Sequence, residues 1–287
     1  MTDTPADYED LIRIIHERYE GMSKTHQRIG EYLTQNPNDV AVMSVNAIAE
    51  ACGIHASSFV RFAQSLGYSG FKDLQTLFQK RLSTAAPGFT ARLRALEAEL
   101  TGQTDEEHSN ILSELVVRDV ASLQDLLTST PPDQIDKAVK LMDKAETIYL
   151  VGQLRSSPLV FLLHYVLTMI GKPSILLDES GGLATHRAKL IKKSDLLFAI
   201  SFRFYATEVV NITEETKARG VPILAITDST LSPLAKSADL LFAIPEHAYT
   251  FSRSLAAPMC LAQALAVALA AKMQRDDDPR IPTVTQP

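Results

Sequence analysis

The stretch VNAIAEACGIHASSFVRFAQSL, from Val45 to Leu66, decides how the first part of this chain folds. Its apolar residues recur at intervals of three and four on both sides of Gly53, which predicts two short amphipathic helices. Ser44 is expected to cap the first helix, and Gly53 to end it, because glycine adopts the left-handed conformation readily. Two short helices joined by a glycine-containing turn are typical of a helix-turn-helix.

The spacing around Gly53 also predicts which side chains face inward, namely Ala49, Ile54, Phe59 and Phe62. The outer face of the second helix then carries hydroxyls and long hydrogen-bonding side chains, and the next helix adds a lysine. Arginine and glutamine form bidentate pairs with base edges, and serine is an adaptable partner. A helical hairpin with an ordinary solvated face is the alternative. The residues predicted to contact DNA are Ser57, Ser58, Arg61, Gln64, Ser65 and Lys72.

Length allows one or two domains, and positive charge is concentrated in one part of the chain. The 287 residues are 46% hydrophobic, which suits one large domain or two ordinary ones with real cores. The net charge of −6 argues weakly against a general nucleic-acid binder. Residues 51–82, however, carry four basic residues against Asp73 alone, a balance of +3 (4 − 1). Cys52 and Cys260 are predicted to be buried free thiols in a reducing compartment.

Neither end of the chain nor its apolar runs predicts a membrane protein. The N-terminal segment is acidic and lacks an apolar core, so no signal peptide is expected. The longest apolar run, Leu255 to Ala271, contains Pro258 and Gln263 and is a little short for a bilayer span. We therefore predict a buried or subunit-interface helix there, no membrane contact and a cytoplasmic location.

Changes in periodicity divide the chain into four predicted segments. Residues 1–82 form the helical domain, 83–105 a linker with a short helix, 106–275 a second domain, and 276–287 a disordered tail. In the second domain, from residue 147 on, five short apolar runs alternate with helical patterns. This alternation predicts a five-stranded parallel sheet with helices on both faces. The predicted fold is thus an all-α helix-turn-helix domain followed by a doubly wound α/β domain of flavodoxin or Rossmann type.

Two loops of this predicted sheet are candidates for a ligand site. Ligands bind beyond the carboxyl ends of the strands, where GQLRSSP (152–158) follows the first strand and SFRFYAT (201–207) the third. Hydroxyls, an arginine in each loop and helix N-terminal amides suit a small anion. Helix capping explains any one of the hydroxyls alone, so the prediction rests on both loops together. The predicted effector-binding residues are Gly152, Arg155, Ser156, Ser157, Ser201, Arg203, Tyr205 and Thr207.

Longer segments carry a resemblance to a known family. SVNAIAEACGI followed by SSFVRFAQSLGYSGFKDL resembles the N-terminal domain of RpiR-type bacterial transcriptional regulators, and ITDSTLSPLAKSADLLFAIP resembles part of a sugar isomerase (SIS) domain. The resemblance implies a DNA-binding domain, a linker and an SIS domain that senses a phosphorylated sugar or its relative and controls the genes that metabolise it. It also implies homodimers or homotetramers on palindromic double-stranded operators. No cofactor and no metal are expected.

The sequence departs from the family pattern at three places. The family commonly reads G-x-G-x-S in the first loop, where this chain has Leu154 at the second glycine. In the third loop S-x-S-G-x-T is common, and Arg203 and Phe204 stand in its middle here. We expect Leu154 and Phe204 to narrow a phosphate cradle, and Arg203 to hold a carboxylate or phosphate. His55 stands where a capping serine is common, so His55 itself or Ser57 is expected to cap the second helix.

The main alternative to a ligand-responsive regulator is an enzyme of the SIS type with an accessory helical domain. A sugar-phosphate isomerase needs a general base near the sugar, and Glu179, His186 and Glu208 are the candidates. Such residues beside a ligand loop more often form hydrogen bonds or face solvent, so the regulator is favoured. A nicotinamide enzyme is disfavoured because GQLRSS lacks the required glycine pattern. In a regulator, effector binding is expected to reorient the helical domains through residues 83–105.

Overall fold

The computed structural model describes residues 4–85, 108–178, 182–203, 205–244 and 254–275, which fall into two units. The first unit is helical and the second contains a parallel sheet, as predicted. Most of the predicted linker and the whole predicted tail lie outside the described residues. The three boundaries between the predicted segments and the proposed hinge therefore stay predictions.

Short amphipathic helices with identifiable caps build the first unit. Asp7, Ser23 and Ser44 each accept a hydrogen bond from a first-turn amide and so begin three of these helices. Asn36 ends one of these helices, and Pro37 begins a further short helix, because proline suits the first helical turn. Within residues 4–85 the helices are α1 (Tyr8–Arg18), α2 (Lys24–Gln35), α3 (Pro37–Val42), α4 (Val45–Cys52), α5 (Ala56–Ser65) and α6 (Phe71–Ala85).

Aromatic rings form the centre of this unit. Phe59 meets Phe71 edge-on with 5.6 Å between ring centroids, and Phe62 meets the ring of His26 in the same way at 5.3 Å. Phe59, Phe62 and Ala49 are buried as predicted. Ile54 is only half-buried, so the prediction that it faces fully inward is wrong. The reason is its place in the turn between α4 and α5, where fewer side chains surround it than within a helix.

The second unit is a doubly wound α/β domain, as predicted. Among the described residues, five parallel strands form one sheet in the order β2-β1-β3-β4-β5. The strands are β1 (Ile148–Val151), β2 (Ser174–Leu176), β3 (Leu196–Ile200), β4 (Ile223–Thr227) and β5 (Leu240–Ala243). The helices are α7 (His108–Ser129), α8 (Pro132–Lys144), α9 (Ser157–Met169), α10 (Ala184–Ala188), α11 (Thr207–Ala218) and α12 (Ala256–Arg275).

Helices cover both faces of this sheet. Residues of α7, α8, α9 and α12 join one hydrophobic core, and α10 and α11 join the other. β3 and β4 are buried along their whole length, which is why they read as continuous apolar runs. Lys172 is also buried, and its Nζ donates to the carbonyl oxygens of Asp143 at 2.8 Å and Ala145 at 2.6 Å. A cation at these carbonyls stabilises the C-terminal end of α8.

One long apolar helix, α12, contributes one side to the core. Ala256–Gln274 is long and apolar enough to cross a membrane by length and composition, so the prediction that this run is too short is wrong on length. Its inner side chains Leu261, Leu265 and Leu269 are nevertheless buried against the sheet. The predicted alternative, a buried or subunit-interface helix, agrees with this arrangement. Cys260 is exposed on the outer side of α12 and Cys52 is half-buried, so the prediction that both thiols are buried is wrong.

Candidate functional site

The turn between α4 and α5 sets the direction of the predicted reading helix. Gly53 has a φ of 61°, in the left-handed region predicted for it. The amide of Ile54 donates to the carbonyl of Ala49 at 3.0 Å, and the amide of Gly53 to that of Glu50 at 3.1 Å. This pair of bonds is a Schellman motif, which ends α4 and turns the chain into α5. A side chain at Gly53 would strain the turn.

The side chains predicted to contact DNA lie mostly on one exposed face. Ser57, Arg61, Gln64 and Ser65 are exposed on α5, and Ser58 is half-buried there. Lys72 is exposed on α6. One hydroxyl and one guanidinium of this face also bond locally. Ser65 Oγ donates to the carbonyl of Phe62 at 2.7 Å, and Arg61 Nε donates to that of Ser57 at 3.5 Å.

His55 takes the N-cap position of α5. Among the bonds described within residues 4–85, its side chain makes none that caps the helix, so the prediction of a histidine cap is wrong. The amide of Ser58 instead donates to the main-chain carbonyl of His55 at 2.9 Å. The first turn of α5 is thus closed by the backbone.

Basic residues of α2, which the sequence analysis missed, lie beside the helix-turn-helix. Arg28 donates from Nη2 to the carbonyl of Cys52 at 2.6 Å, next to Gly53. Lys24 lies one turn earlier on α2 and is exposed. His26 is half-buried against α5, and burial, followed by the charge of Arg61, lowers its pKa. The spacing of residues could not reveal this, since α2 and α5 are joined only by tertiary contacts.

Acidic residues of the same N-terminal segment are partly engaged elsewhere. Arg13 pairs with Asp10 at 3.0 Å and with Glu17 at 2.8 Å on α1, and Glu31 accepts a hydrogen bond from Tyr19. Asp10, Glu17 and Glu31 therefore have partners of their own within the helical unit. Lys24 and Arg28 extend the local positive charge of Arg61.

In the second unit, the strand order places the two predicted effector loops together. The order reverses between β1 and β3, and ligands bind at such a switch point in doubly wound sheets. The loops after these two strands, 152–157 and 201–207, both begin there. We call the space between them the effector crevice.

Gly152 lies at the floor of this crevice, where a larger residue does not fit. A Cβ at this position would lie 2.9 Å from Val160 Cγ1 and 3.1 Å from the carbonyl oxygen of Ile200. The backbone of the first loop therefore lies directly against the end of β3. This close approach is the reason for glycine at the loop's first position.

Leu154, the departure from the family's second glycine, keeps a glycine-like backbone. Its φ is 54°, and it is the one non-glycine residue with positive φ among those described. Its side chain is 69% exposed. The leucine thus points into solvent beside the loop, and the cost of the substitution lies in the backbone. Phe204, the other residue expected to narrow the crevice, lies outside the described residues.

The remaining predicted effector residues differ in exposure. Ser156 and Ser201 are buried, Ser157, Arg155, Arg203 and Tyr205 are partly exposed, and Thr207 is exposed in the first turn of α11. The guanidinium of Arg155 lies over the ring of Phe202, 4.9 Å from its centroid, which orients the charge. Tyr205 donates from Oη to Asp228 Oδ1 at 2.8 Å and so joins the loops after β3 and β4.

Glu208 joins the other side of the crevice. Its Oε2 accepts a hydrogen bond from Gln153 Nε2 at 2.6 Å, and its Oε1 accepts one from Thr185 Oγ1 at 2.8 Å. One carboxylate in the first turn of α11 thus connects the loop after β1 with α10. Both oxygens being engaged, Glu208 is a structural tie, which weakens its case as a general base.

The other two candidates for a general base, His186 and Glu179, are not supported by the structure either. His186 is exposed on α10, and Glu179 lies outside the described residues.

Three residues of the crevice were not predicted from the sequence, namely Gln153, Thr185 and Asp228. Asp228 could have been predicted, because it follows β4 directly and so lies at the same edge of the sheet as the predicted loops. Nothing in the sequence indicates Gln153 and Thr185, since only the fold brings them to Glu208.

Comparison with known proteins agrees with both units. Residues 9–85 match the family described as helix-turn-helix domain, rpiR family, and residues 141–268 match the SIS domain. An uncharacterized HTH-type transcriptional regulator of Thermotoga maritima is 26% identical over 236 residues, covering 82% of this chain and 81% of its own. The HTH-type transcriptional regulator HexR of Pseudomonas aeruginosa is 24% identical over 242 residues, covering 83% of this chain and 79% of its own.

Solved structures show the same fold. The Vibrio vulnificus NanR protein complexed with ManNAc-6P has a TM-score of 0.53 at 23% identity, covering 93% of this chain and 94% of its own. The sugar isomerase domain of an RpiR transcription factor from Sphaerobacter thermophilus has a TM-score of 0.53 at 24% identity, covering 59% of this chain and 98% of its own. With the two family matches in chain order, this protein belongs to the RpiR family of helix-turn-helix transcriptional regulators that carry an SIS domain.

Proposed function

We propose that this regulator controls carbohydrate catabolism genes in response to a small anionic sugar-derived effector, either a sugar phosphate or a related sugar acid or cyclitol. It acts in the cytoplasm as a homodimer or homotetramer on a palindromic double-stranded operator. The observation that carries the proposal is the meeting of two arginine- and hydroxyl-containing loops at the switch point of the SIS domain.

The effector is held by the crevice. Arg155, oriented by Phe202, and Arg203 supply positive charge on the two loops, and Ser157 and Thr207 supply partly or fully exposed hydroxyls. The NanR structure contains a sugar phosphate, ManNAc-6P, which supports this class of ligand. Leu154 and Arg203 replace residues of the common phosphate loops, so carboxylate-bearing sugars belong to the same proposal.

DNA is read by the exposed face of α5. Arg61 and Gln64 reach base edges, while Ser57, Ser58 and Ser65 are short enough to meet either bases or phosphates. Lys72, with Lys24 and Arg28 of α2, meets phosphates. The two-fold symmetry of a dimer suits a palindrome, whose half-sites present the same sequence twice.

Selection of binding sites from a random duplex library by the wild-type protein tests the DNA half. On the selected duplex, Arg61→Ala is expected to weaken binding by about 1–3 kcal/mol and to relax specificity at one position of each half-site. The control is Arg13→Ala, which removes an equal charge from a side chain paired with Asp10 and Glu17. Equal affinity of the Arg61 variant and wild type would contradict the assignment of α5.

A thermal-shift screen tests the effector half. ManNAc-6P, glucose 6-phosphate, 6-phosphogluconate, gluconate and myo-inositol are suitable probes, since a ligand at about 100 times its Kd stabilises a protein by about 2.7 kcal/mol. The double variant Ser201→Ala, Arg203→Ala is expected to lose the shift while still binding the selected duplex. A shift that survives in the double variant would place the effector elsewhere.

The SIS fold is shared with isomerases, so the enzyme alternative is tested in the same screen. Glu208, whose two oxygens accept hydrogen bonds, is poorly placed to remove a proton from a substrate. We expect no turnover of the stabilising ligand. Isomerisation at ordinary enzymatic rates by purified protein, lost in Glu208→Gln, would favour the enzyme.

A further inference from the structure

An acidic side chain follows β2 at the edge of the sheet that carries the effector crevice. Asp178 comes directly after Leu177, whose amide donates to the carbonyl of Leu150 on β1 at 2.8 Å. The two strands pair with Leu150 opposite Leu176. The same register, continued for two residues, brings Gly152 beside Asp178, and neighbouring strands lie about 5 Å apart. Asp178 is therefore next to the loop that begins the crevice.

The carboxylate of Asp178 is not fully hydrogen-bonded. Its Oδ1 is buried and accepts no hydrogen bond among the described residues. Arg187 Nη1, on α10, forms an ion pair with this oxygen at 3.9 Å, which is too long for a hydrogen bond. The side chain of Asp178 is 34% exposed and that of Arg187 is 47% exposed, so a ligand can reach both. We call these two residues the Asp178–Arg187 pair.

Other carboxylates of the same unit accept hydrogen bonds on both oxygens. Asp195 accepts from the amides of Thr147 at 3.2 Å and Lys192 at 2.8 Å. Glu208 accepts from two side chains. A buried acceptor without a donor is costly, because it has lost its contact with water and has gained no bond in return. A ligand that supplies the donor to Asp178 removes this cost when it binds.

The two opposite charges of the pair determine which chemical group suits it. An anionic group would be repelled by the carboxylate, and a cationic group would be repelled by the guanidinium. A neutral hydroxyl suits both, because it donates to a carboxylate and accepts from a guanidinium at the same time. Within the described part of the chain, no group of three or more His, Cys, Asp or Glu side chains could hold a metal ion. The Asp178–Arg187 pair therefore fits the hydroxyl groups of a sugar.

Hydrogen bonds connect this pair to the effector crevice. Thr185, two residues before Arg187 on α10, donates to Oε1 of Glu208, whose Oε2 accepts from Gln153 in the first loop. The helix that carries Arg187 is thus held against that loop. In the strand order, β2 and β3 lie on either side of β1, so the pair lies on one side of the first loop and Arg203 on the other.

We propose that Asp178 and Arg187 bind hydroxyl groups of the effector, at the end of the molecule away from its anionic group. The inference rests on the proposed function and deepens it, because it divides recognition into two parts. Arg155 and Arg203 bind the anion, and the Asp178–Arg187 pair selects a ligand that also carries sugar hydroxyls. An acid at the end of the second strand binds a ribose hydroxyl in dinucleotide-binding sheets, which shows that this position suits such a contact.

Thermal-shift titrations of the full chain with ManNAc-6P, glucose 6-phosphate and 6-phosphogluconate test the proposal. Asp178→Ala is expected to bind the sugars that stabilise the wild type about tenfold or more weakly, because a hydrogen bond to a charged group is lost. Asp178→Asn and Arg187→Gln are expected to weaken the same sugars by smaller factors. Inorganic phosphate, which has no sugar hydroxyls, is expected to bind Asp178→Ala no more weakly than the wild type. Asp136→Asn, at an exposed carboxylate on α8, is the matched control and is expected to bind as the wild type does.

The unfolding midpoint without ligand separates binding from folding. Asp178→Asn is expected to keep the wild-type midpoint, because Oδ1 has no hydrogen bond to lose. Sugars that bind Asp178→Ala as tightly as the wild type, an equal loss for inorganic phosphate, or a lower midpoint in Asp178→Asn would overturn the hydroxyl-binding role. In each of these cases the wild type still responds to a sugar, so the proposed function stands. A wild type that none of the probes stabilises would contradict the proposed effector class, and the role of Asp178 with it.

Discussion

Gln153 donates a hydrogen bond of 2.6 Å from Nε2 to Oε2 of Glu208, across 55 positions of sequence. Thr185 donates to the other oxygen of the same carboxylate at 2.8 Å. Three segments that follow three different strands are thereby held in one arrangement before any effector arrives. A crevice preorganised in this way binds its ligand without the cost of ordering its loops.

Removing the negative charge of Glu208 is expected to weaken the hydrogen bonds that hold the crevice together. Glu208→Gln keeps the shape but replaces one acceptor oxygen with an amide group that donates, so one of the two hydrogen bonds is lost. The expected loss is about 1 kcal/mol of unfolding free energy, because these bonds are only partly buried. Calorimetric unfolding measures it, with the exposed Glu214→Gln on the same helix as control. Equal unfolding midpoints in both variants would contradict a stabilising role for the hydrogen bonds of Glu208.

The left-handed backbone at Leu154 predicts an inverted order of stability for two substitutions. At an ordinary helical or extended position glycine is less stable than alanine by about 0.5–1 kcal/mol. At a φ of 54° the alanine variant keeps the backbone strain and the glycine variant loses it. The free energy of unfolding of Leu154→Gly is therefore expected to be higher than that of Leu154→Ala by about 1 kcal/mol. The same calorimetric measurement decides the sign. A glycine variant less stable than the alanine variant would mean that the position is unstrained.

The lowered pKa of His26 predicts a loss of stability in acid. Burial is the larger cause and the charge of Arg61 the smaller. Because the unfolded chain, with a pKa near 6.5, then binds the proton more tightly than the folded one, stability is present above 6.5 and is lost as pH falls through the folded pKa. Titration of the ring protons by NMR, assigned with His26→Gln, checks the direction. Arg61→Ala is expected to raise the pKa only in part, and full recovery would show that charge rather than burial dominates.

Lys24 is expected to contribute one phosphate contact that sequence reasoning did not include. Each lost contact lowers the slope of log K against log salt by about 0.9 in duplex DNA, whereas a purely structural defect leaves the slope unchanged. Lys24→Gln is therefore expected to reduce that slope by about one on the selected duplex. Arg13→Gln, which removes an equal charge from α1, is the control. Unchanged slopes in both variants would remove α2 from the DNA-binding surface.

Local rules decided much of this protein from its sequence alone. Ser44 and Gly53 have chemistry that begins and ends α4, so their roles follow from residue type and position. β3 and β4 read as unbroken apolar runs because both faces are covered, and the alternation of strands with helices implies a parallel, doubly wound sheet. The end of the sheet that carries the ligand loops follows from the same topology.

Tertiary structure alone decided which distant groups meet. Nothing in the spacing of Gln153, Thr185 and Glu208 indicates that one carboxylate receives both donors, because hydrogen-bond partners are set by the three-dimensional path of the chain. Arg28 likewise reaches the helix-turn-helix only through the packing of α2 on α4 and α5. Sequence periodicity specifies which side of a helix is apolar, and only the folded domain shows whether that side is covered, as at Leu265, or open, as at Tyr165.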